Sequence, residues 1–221
     1  MIVTKYNTTL NINEASNANF WRNAYPNWEN DTFNFLLRYL NKNKTFVDIG
    51  AWIGPISLVA ASYSKQCICY EPDEIACKEF IDNIELNNIN NITLENKAVS
   101  IHNTINLGAD ELGASVTRED CTVNAKTYEC VSLQDIFNKH NLTSDNVSVL
   151  KIDIEGHESE LLQDKFLWEL NLPMHISLHP GYKDDKDKYY DDIIPFFIHK
   201  GVNIFKHGTA EFFDVEIPKN N

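Results

Sequence analysis

The stretch Thr45-Phe46-Val47-Asp48-Ile49-Gly50-Ala51-Trp52-Ile53-Gly54 decides the fold of this chain. Residues 45–49 are a short apolar run of the kind found in buried strands, and Gly50 permits a tight turn directly after it. An apolar helical pattern over 53–64 comes next, and a second strand is expected over 66–70. A strand, a glycine turn, a helix and a further strand make up the βαβ unit of a parallel sheet.

The same alternation of helices and strands continues along the chain. Helices are predicted over 28–40, 73–87, 132–139, 158–169 and 191–199, and strands over 92–94, 147–152 and 174–178. Residues 101–130 alternate polar and apolar and predict an antiparallel excursion, while 202–205 and 211–215 predict a closing hairpin. We therefore expect a doubly wound α/β fold with a mostly parallel sheet, an antiparallel C-terminal hairpin, an N-terminal arm over 1–27 and one domain over 28–221.

Composition and charge exclude several classes of protein. The chain has 221 residues, of which 32 are acidic and 19 are basic, and its formal net charge is −13. A surface this negative repels phosphate backbones and anionic lipid, so neither a nucleic-acid partner nor membrane attachment is expected. No apolar run reaches the roughly 18 residues of a membrane helix, and no signal peptide is visible. The five cysteines show no paired spacing, which indicates a reducing, cytoplasmic setting.

Two strand ends carry the residues expected to bind a cofactor, because ligands of an open α/β sheet bind there. Gly50 and Gly54 let a ligand approach the backbone, and Glu71 ends the second strand, 23 residues after Asp48. A carboxylate in that position can accept both hydroxyls of a ribose. Glycines four apart do not make the G-x-G-x-x-G dinucleotide fingerprint. The pattern favours S-adenosylmethionine, a cation without phosphate, and a nicotinamide cofactor remains the alternative.

Two further strand ends carry the residues expected to act on a substrate. Asp153 follows the strand at 147–152, and His179 follows the next strand, so the two side chains should be neighbours. Aspartate and histidine are suitable ligands for a divalent metal such as Mg, Mn or Fe. Asp153 and His179 are therefore candidate metal ligands and catalytic residues, acting through a metal or directly, with Glu155 and His157 as alternative bases.

The first turn of the helix after Asp153 is also acidic, with Glu158 and Glu160. Carboxylates are common there because the helix dipole favours negative charge at its N-terminus. We therefore interpret these two residues as part of a solvated helix start.

Three segments together resemble the FkbM-type family of S-adenosylmethionine-dependent methyltransferases: VDIGAWIGPISL at 47–58, YEPD at 70–73 and LKIDIEGHESELL at 150–162. The resemblance covers about residues 28–180 and implies the Rossmann-like class I methyltransferase fold, with a seven-stranded sheet whose last strand is antiparallel. Trp52 departs from the family pattern, in which a small or polar residue is common. The cofactor-binding residues that this comparison implies are Asp48, Gly50, Ala51, Trp52, Gly54, Glu71, Pro72, Asn96, Lys97, Ala98 and Asp153.

The resemblance also implies a function. Family members are O-methyltransferases that often act on hydroxyls of sugars, glycolipids or polyketides. We expect methylation of a sugar or glycoconjugate hydroxyl, nucleotide-linked or capsule-type, assisted by a divalent metal. The alternatives are a nicotinamide-dependent oxidoreductase and a non-catalytic methyltransferase-like binding domain. The expected partner is a small-molecule or glycan acceptor, and the sequence leaves open whether the protein forms a homo-oligomer.

Overall fold

A computed structural model of the chain describes residues 1–13, 17–109, 117–118, 125–179, 203–205 and 213–217. The strands of these residues are β1 (Ile2–Lys5), β2 (Thr8–Asn11), β3 (Thr45–Ile49), β4 (Gln66–Tyr70), β5 (Ile92–Glu95), β6 (Ala98–Val99), β7 (Thr104–Ala109), β8 (Thr117–Arg118), β9 (Lys126–Val131), β10 (Val147–Ile152), β11 (Met174–Leu178), β12 (Asn203–Phe205) and β13 (Phe213–Ile217). The α-helices are α1 (Asn30–Tyr39), α2 (Ser57–Ala60), α3 (Glu74–Leu86), α4 (Leu133–Lys139), α5 (Glu158–Leu161) and α6 (Lys165–Glu169). Short helical turns of other types lie at Phe20–Ala24, Tyr25–Asn27 and Ala61–Tyr63.

The central sheet has the parallel α/β architecture that the sequence predicts. Five parallel strands lie in the order β11-β10-β3-β4-β5. The chain runs outward from β3 to β5 and then returns to the other side of β3 as β10 and β11. Strand order therefore reverses beside β3, and this is the switch point at which α/β proteins bind ligands. Asp48 of β3 lies in register with Lys151 of β10.

Two short strands extend the sheet beyond β11. β13 pairs antiparallel with β11, and β12 pairs antiparallel with β13. They overlap the strands predicted at 202–205 and 211–215. The connection over 206–212 and the helix predicted over 191–199 fall outside the described residues.

Helices cover both faces of the sheet, which explains why its central strands are buried along their length and mostly apolar. Val47 and Ile49 of β3 point to one face and pack in a core with α4 and α6. Phe46 points to the other face and packs in a second core with α1, α2 and α3. This confirms the doubly wound arrangement. None of the helices in the described part of the chain has the length and apolarity needed to cross a bilayer.

Two predicted helices are shorter than expected. The helix predicted over 53–64 is α2 followed by a single 3-10 turn, because Gly54 has a φ of +83° that a helix cannot contain. The helix predicted over 158–169 is divided into α5 and α6. Asp164 causes the break, since its side chain accepts a hydrogen bond from the backbone N–H of Phe166 and caps α6.

The N-terminal arm is packed into the protein far more closely than its weak pattern indicated. β1 and β2 form a hairpin, and Trp21 and Tyr25 are fully buried in the core with α1. The indole of Trp21 donates a hydrogen bond to Glu79 of α3 over 2.9 Å. Lys5 is buried, and its ammonium donates to the carbonyl oxygens of Tyr25 and Trp28. The arm is thus fixed at both of its ends.

The excursion predicted over 101–130 is confirmed where the structure describes it. β7 and β9 pair antiparallel, and β6 and β8 extend them in the order β6-β9-β7-β8. Ile105 and Leu107 of β7 are buried and line a cavity at the carboxyl ends of the central strands.

Candidate active site

A cavity of about 430 Å³ lies at the carboxyl ends of the central strands, beside the reversal of strand order. The ends of β3, β4, β10 and β11 form its floor, and β7 and the arm form its walls. Of the predicted site residues, those lining the cavity are Asp48, Gly50, Ala51, Trp52, Glu71, Pro72, Lys97, Ala98, Asp153, Glu155, His157 and His179. Gly54 and Asn96 do not line it.

The glycine turn brings β3 and β10 into close contact. Gly50 has a φ of +78°, and a Cβ atom built on it would lie 1.7 Å from the carbonyl oxygen of Asp153. Gly54 has a φ of +83°, and its Cβ would lie 2.2 Å from the ring of Phe80. Both positions require glycine for conformation and for space. Gly50 shapes the cavity floor, whereas Gly54 serves the packing of α3 behind it.

Lys151 is buried among carboxylates at the centre of the floor. Its ammonium lies 3.3 Å from Asp48 Oδ1 and 3.3 Å from Asp153 Oδ2, and it donates to the carbonyl oxygen of Gly50 over 3.2 Å. Burial alone lowers the pKa of Lys151, but Asp153, Asp48 and Glu29 together raise it above its ordinary value. A permanently charged ammonium therefore joins the ends of β3 and β10.

The two carboxylates that flank Lys151 differ in their environments. Burial raises the pKa of Asp48, although Lys151 and the hydroxyl of Ser57, which donates to Asp48 Oδ2 over 2.5 Å, oppose that rise. Asp153 is partly exposed to the cavity. Burial works to raise its pKa, but Lys151 and His179 lower it below the ordinary value. Asp153 is therefore ionised at neutral pH.

Glu71 stands at the end of β4 with both oxygens engaged. Its carboxylate accepts hydrogen bonds from the backbone N–H groups of Trp52 and Asp73, each over 2.8 Å. Burial raises the pKa of Glu71 to about 8, although these two donors favour the ionised form. Asn96 supports this turn from outside the cavity, since its side-chain amide donates to the carbonyl oxygens of Glu71 and Pro72.

His179 is surrounded by three carboxylates. Its Nδ1 lies 2.9 Å from Glu158 Oε1, and its Nε2 lies 3.6 Å from Asp153 Oδ1 and 3.8 Å from Glu155 Oε2. Burial works to lower the pKa of His179, but the carboxylates, Glu158 first, raise it to about 10. In the absence of a metal the imidazole is therefore protonated at neutral pH.

Glu158 does not behave as part of a solvated helix start, and that interpretation was wrong for this residue. Its side chain is fully buried, and its oxygens accept hydrogen bonds from the backbone N–H groups of Ile154 and Gly156 as well as facing His179. A helix-start pattern cannot distinguish this case, because acidic residues are common there for either reason. Glu158 fixes the imidazole from behind and leaves Nε2 directed at the cavity.

The remaining predicted bases occupy different surroundings. His157 is buried at the edge of the cavity, and its Nε2 lies 2.9 Å from the hydroxyl of Ser100. Glu155 has a φ of +54° and a half-buried side chain beside His179.

Sequence reasoning assigned no role to Lys151, although a lysine inside an apolar strand is a signal, because a buried ammonium requires anionic partners. It also missed Phe20 of the arm and the adjacent Trp28 and Glu29, all of which line the cavity.

The donor atoms present fit a divalent cation. One ligand atom from each of Asp153, Glu158 and His179 lies within 4.8 Å of the others. Two ligands of one ion, each bound at about 2.1 Å, lie at most about 4.2 Å apart. The distance of 3.6 Å between His179 Nε2 and Asp153 Oδ1 meets this condition. A carboxylate behind the ligating imidazole, as Glu158 provides, is the usual support of such a ligand.

Comparison with solved structures shows the fold. An rRNA methylase from Streptococcus thermophilus is 12% identical, with 86% of this chain and 95% of that chain covered and a TM-score of 0.55. A putative methyltransferase from Streptococcus mutans in complex with SAH is 14% identical, with coverages of 84% and 94% and a TM-score of 0.51. Methyltransferase FkbM from Methylobacillus flagellatus KT is 19% identical, with coverages of 80% and 44% and a TM-score of 0.50.

A search of curated proteins found no match to the chain. A comparison with models of protein families did find one. The family model described as methyltransferase FkbM domain matches residues 25–204, well over half of the chain. With the parallel α/β sheet of class I methyltransferases, this match supports an S-adenosylmethionine-dependent methyltransferase. The chain belongs to the FkbM methyltransferase family.

Proposed function

We propose that the protein is an S-adenosylmethionine-dependent O-methyltransferase that acts on a hydroxyl of a sugar or glycoconjugate. The observation that carries the proposal is the presence, in one cavity, of Glu71 on the side of β4 and of the Asp153–His179 pair on the side of β10 and β11. The first suits a cofactor ribose, and the second suits an acceptor hydroxyl. Family membership supports the transfer of a methyl group.

The β4 side of the cavity fits an adenosine. Glu71 presents a carboxylate held by two backbone donors, and Lys97 and Ala98 lie beside it with the apolar side chains of Ile105 and Leu107. A carboxylate binds ribose hydroxyls, and apolar walls bind a planar base. S-adenosylmethionine supplies an activated methyl group. Asp48 and Asp153 supply the negative charge that a sulfonium cation requires nearby.

The β10 and β11 side fits an acceptor hydroxyl. Asp153, ionised and held by Lys151, can accept the hydrogen bond of that hydroxyl and orient its oxygen. An alcohol oxygen becomes strongly acidic as it gains a methyl group, so a carboxylate of low pKa suffices to take its proton. A protonated His179 then stabilises Asp153 rather than acting as the base. Glu155 and His157 are the alternative bases.

A divalent metal is a second version of this proposal. Asp153 and His179 would hold it, with Glu158 supporting the imidazole. Such an ion would lower the pKa of a bound hydroxyl. We also propose that the chain consists of an N-terminal arm over 1–27 and one domain over 28–221. In this proposal β12 and β13 form the antiparallel C-terminal hairpin of a seven-stranded sheet.

The test combines binding with turnover. Asp153→Asn and His179→Ala should abolish methyl transfer to a glycan panel while S-adenosylhomocysteine still binds by calorimetry. Glu160→Gln, a half-exposed carboxylate outside the cavity, is the matched control and should keep activity. Full activity in both site variants would contradict the roles assigned to Asp153 and His179. Activity that is unchanged by EDTA would exclude a divalent metal from the reaction. Binding of NAD in place of S-adenosylhomocysteine would favour an oxidoreductase.

A further inference from the structure

Three aromatic rings form one wall of the cavity. The ring centroids of Phe20 and Trp52 are 4.7 Å apart, those of Phe20 and Trp28 are 5.3 Å apart, and those of Trp28 and Trp52 are 6.4 Å apart. The rings are inclined to each other by 70°, 85° and 50°. All three are half-buried and line the cavity. We call these three residues the aromatic wall.

The aromatic wall is held in place from behind. The ammonium of Lys5 donates to the carbonyl oxygen of Trp28 and lies 4.9 Å from the ring of Tyr25, against which Phe20 packs. Glu29 follows Trp28 with a φ of +44° and also lines the cavity. A buried lysine and a left-handed backbone position both cost free energy. The hydrogen bond from Lys5 and the packing of Phe20 on Tyr25 hold the aromatic wall in place before a ligand binds. Such preorganisation favours binding.

The aromatic wall lies toward the acceptor side of the cavity. Glu29 lines the cavity together with Lys151 of β10, and α1, which begins at the next residue, packs against β10 and β11. Trp52 marks the border, because its backbone N–H donates to Glu71 while its ring joins the wall. The wall is thus separate from the β5 side, where Lys97 and Ala98 lie.

The charges around the aromatic wall define what can bind there. The carboxylates that line the cavity among the described residues are Glu29, Asp48, Glu71, Asp153 and Glu155. The cations that line it are Lys97, Lys151 and the protonated His179; Lys151 contacts Asp48 and Asp153, and His179 faces Asp153 and Glu155. Five carboxylates therefore face three cations. This excess of negative charge repels phosphate. Aromatic faces bind the C–H face of a sugar ring, and a carboxylate beside them accepts its hydroxyl hydrogens.

We propose that Phe20, Trp28 and Trp52, together with Glu29, form an acceptor subsite that stacks an uncharged sugar ring and rejects a phosphorylated one. The inference rests on the proposed function and narrows it, because it excludes a phosphate next to the ring that stacks. It assigns the recognition of the acceptor to the arm, to the two residues that follow it and to the turn after β3.

The experiment measures binding of methyl glycosides of common hexoses, and of their 6-phosphates, to the full chain saturated with S-adenosylhomocysteine. Saturation-transfer NMR and calorimetry provide the affinities. Neutral glycosides should bind, and their phosphates should bind at least about tenfold more weakly because of the acidic lining. Trp28→Leu should lower the affinity for the neutral glycoside by roughly three- to tenfold. Glu29→Gln should reduce the discrimination against phosphate.

Trp168→Leu is the matched control, since Trp168 is also half-buried but packs beside α4 and does not line the cavity. It should keep the glycoside affinity, and every variant should keep the affinity for S-adenosylhomocysteine. Failure of all neutral glycosides to bind, equal binding of the phosphates, or equal effects of the two tryptophan variants would overturn the subsite. Failure of the unmodified protein to bind S-adenosylhomocysteine would instead overturn the proposed function.

Discussion

Replacing Gly50 by alanine tests the contact on which the whole cavity floor depends. The added Cβ would lie 1.7 Å from the carbonyl oxygen of Asp153, and contacts below 3.0 Å essentially do not occur, so the two strand ends must separate by at least 1.3 Å. That movement stretches the 2.9 Å hydrogen bond from Asp153 N–H to the Ile49 carbonyl. Overpacking costs about 1–3 kcal/mol, a positive φ in alanine costs about 1–2 kcal/mol and a lost hydrogen bond costs about 1 kcal/mol. We therefore expect the free energy of unfolding to fall by roughly 3–6 kcal/mol.

Gly54→Ala is the matched control for this substitution. It has nearly the same φ, +83° against +78°, but its Cβ meets the ring of Phe80 instead of a backbone carbonyl. A ring can rotate or shift, so we expect a loss of about 2–3 kcal/mol and no displacement of Asp153. Urea unfolding followed by tryptophan fluorescence measures the stability, and calorimetry with S-adenosylhomocysteine measures the site. The reasoning is refuted if Gly50→Ala is as stable as Gly54→Ala and still binds the cofactor product.

Three further predictions concern charged groups. Lys151→Met should lower the free energy of unfolding, measured in urea at pH 7, by about 3–5 kcal/mol, because it leaves buried carboxylates without their cation; adding Asp48→Asn should restore part of it. Binding of the ribose requires ionised Glu71, and burial raises the pKa of this residue to about 8. The affinity for S-adenosylhomocysteine, measured by calorimetry, should therefore rise by up to about tenfold per pH unit from pH 6 to pH 8 and then level off. Asp73→Ala should cost about 1 kcal/mol in thermal unfolding, because Asp73 caps α3 by accepting from Ile75 and Ala76 N–H.

Each of these predictions has an outcome that contradicts it. A Lys151→Met protein as stable as the original would show that the ammonium contributes nothing net to the buried cluster. An equal pH dependence in Glu71→Gln would assign the effect to another group. An unchanged melting temperature in Asp73→Ala would mean that water replaces the cap without cost.

The order of the elements could be predicted from the sequence because each signal is local. The apolar run before Gly50 and the amphipathic pattern of α3 need no knowledge of distant residues. The positions of Asp153 and His179 followed from the rule that parallel strands end at one edge of a sheet. Their separation of 3.6 Å agrees with that expectation.

The arm and the support of His179 could not be predicted in this way. Trp21 and Tyr25 pack in a core formed with distant elements and are contacted by Glu79 and Lys5, and a weak local pattern does not reveal such contacts. Glu158 occupies a helix start that looks ordinary in the sequence. Its role depends on a histidine 21 residues away.

The reversal of strand order beside β3 also divides the site residues between two stretches of the sequence. Apart from Asp153, the residues proposed to hold the cofactor come from the continuous stretch 48–98, and those proposed to take the proton of the acceptor hydroxyl come from 151–179. Lys151 bridges the two stretches through Asp48 and the Gly50 carbonyl. Recombination between two related proteins at one junction in 101–130 would exchange the residues of 151–179 and keep those of 48–98. The exchanged segment would need a lysine at position 151. Phe20, Trp28 and Glu29 precede both stretches, so substitutions there are expected to change acceptor preference and to leave the methyl donor unchanged.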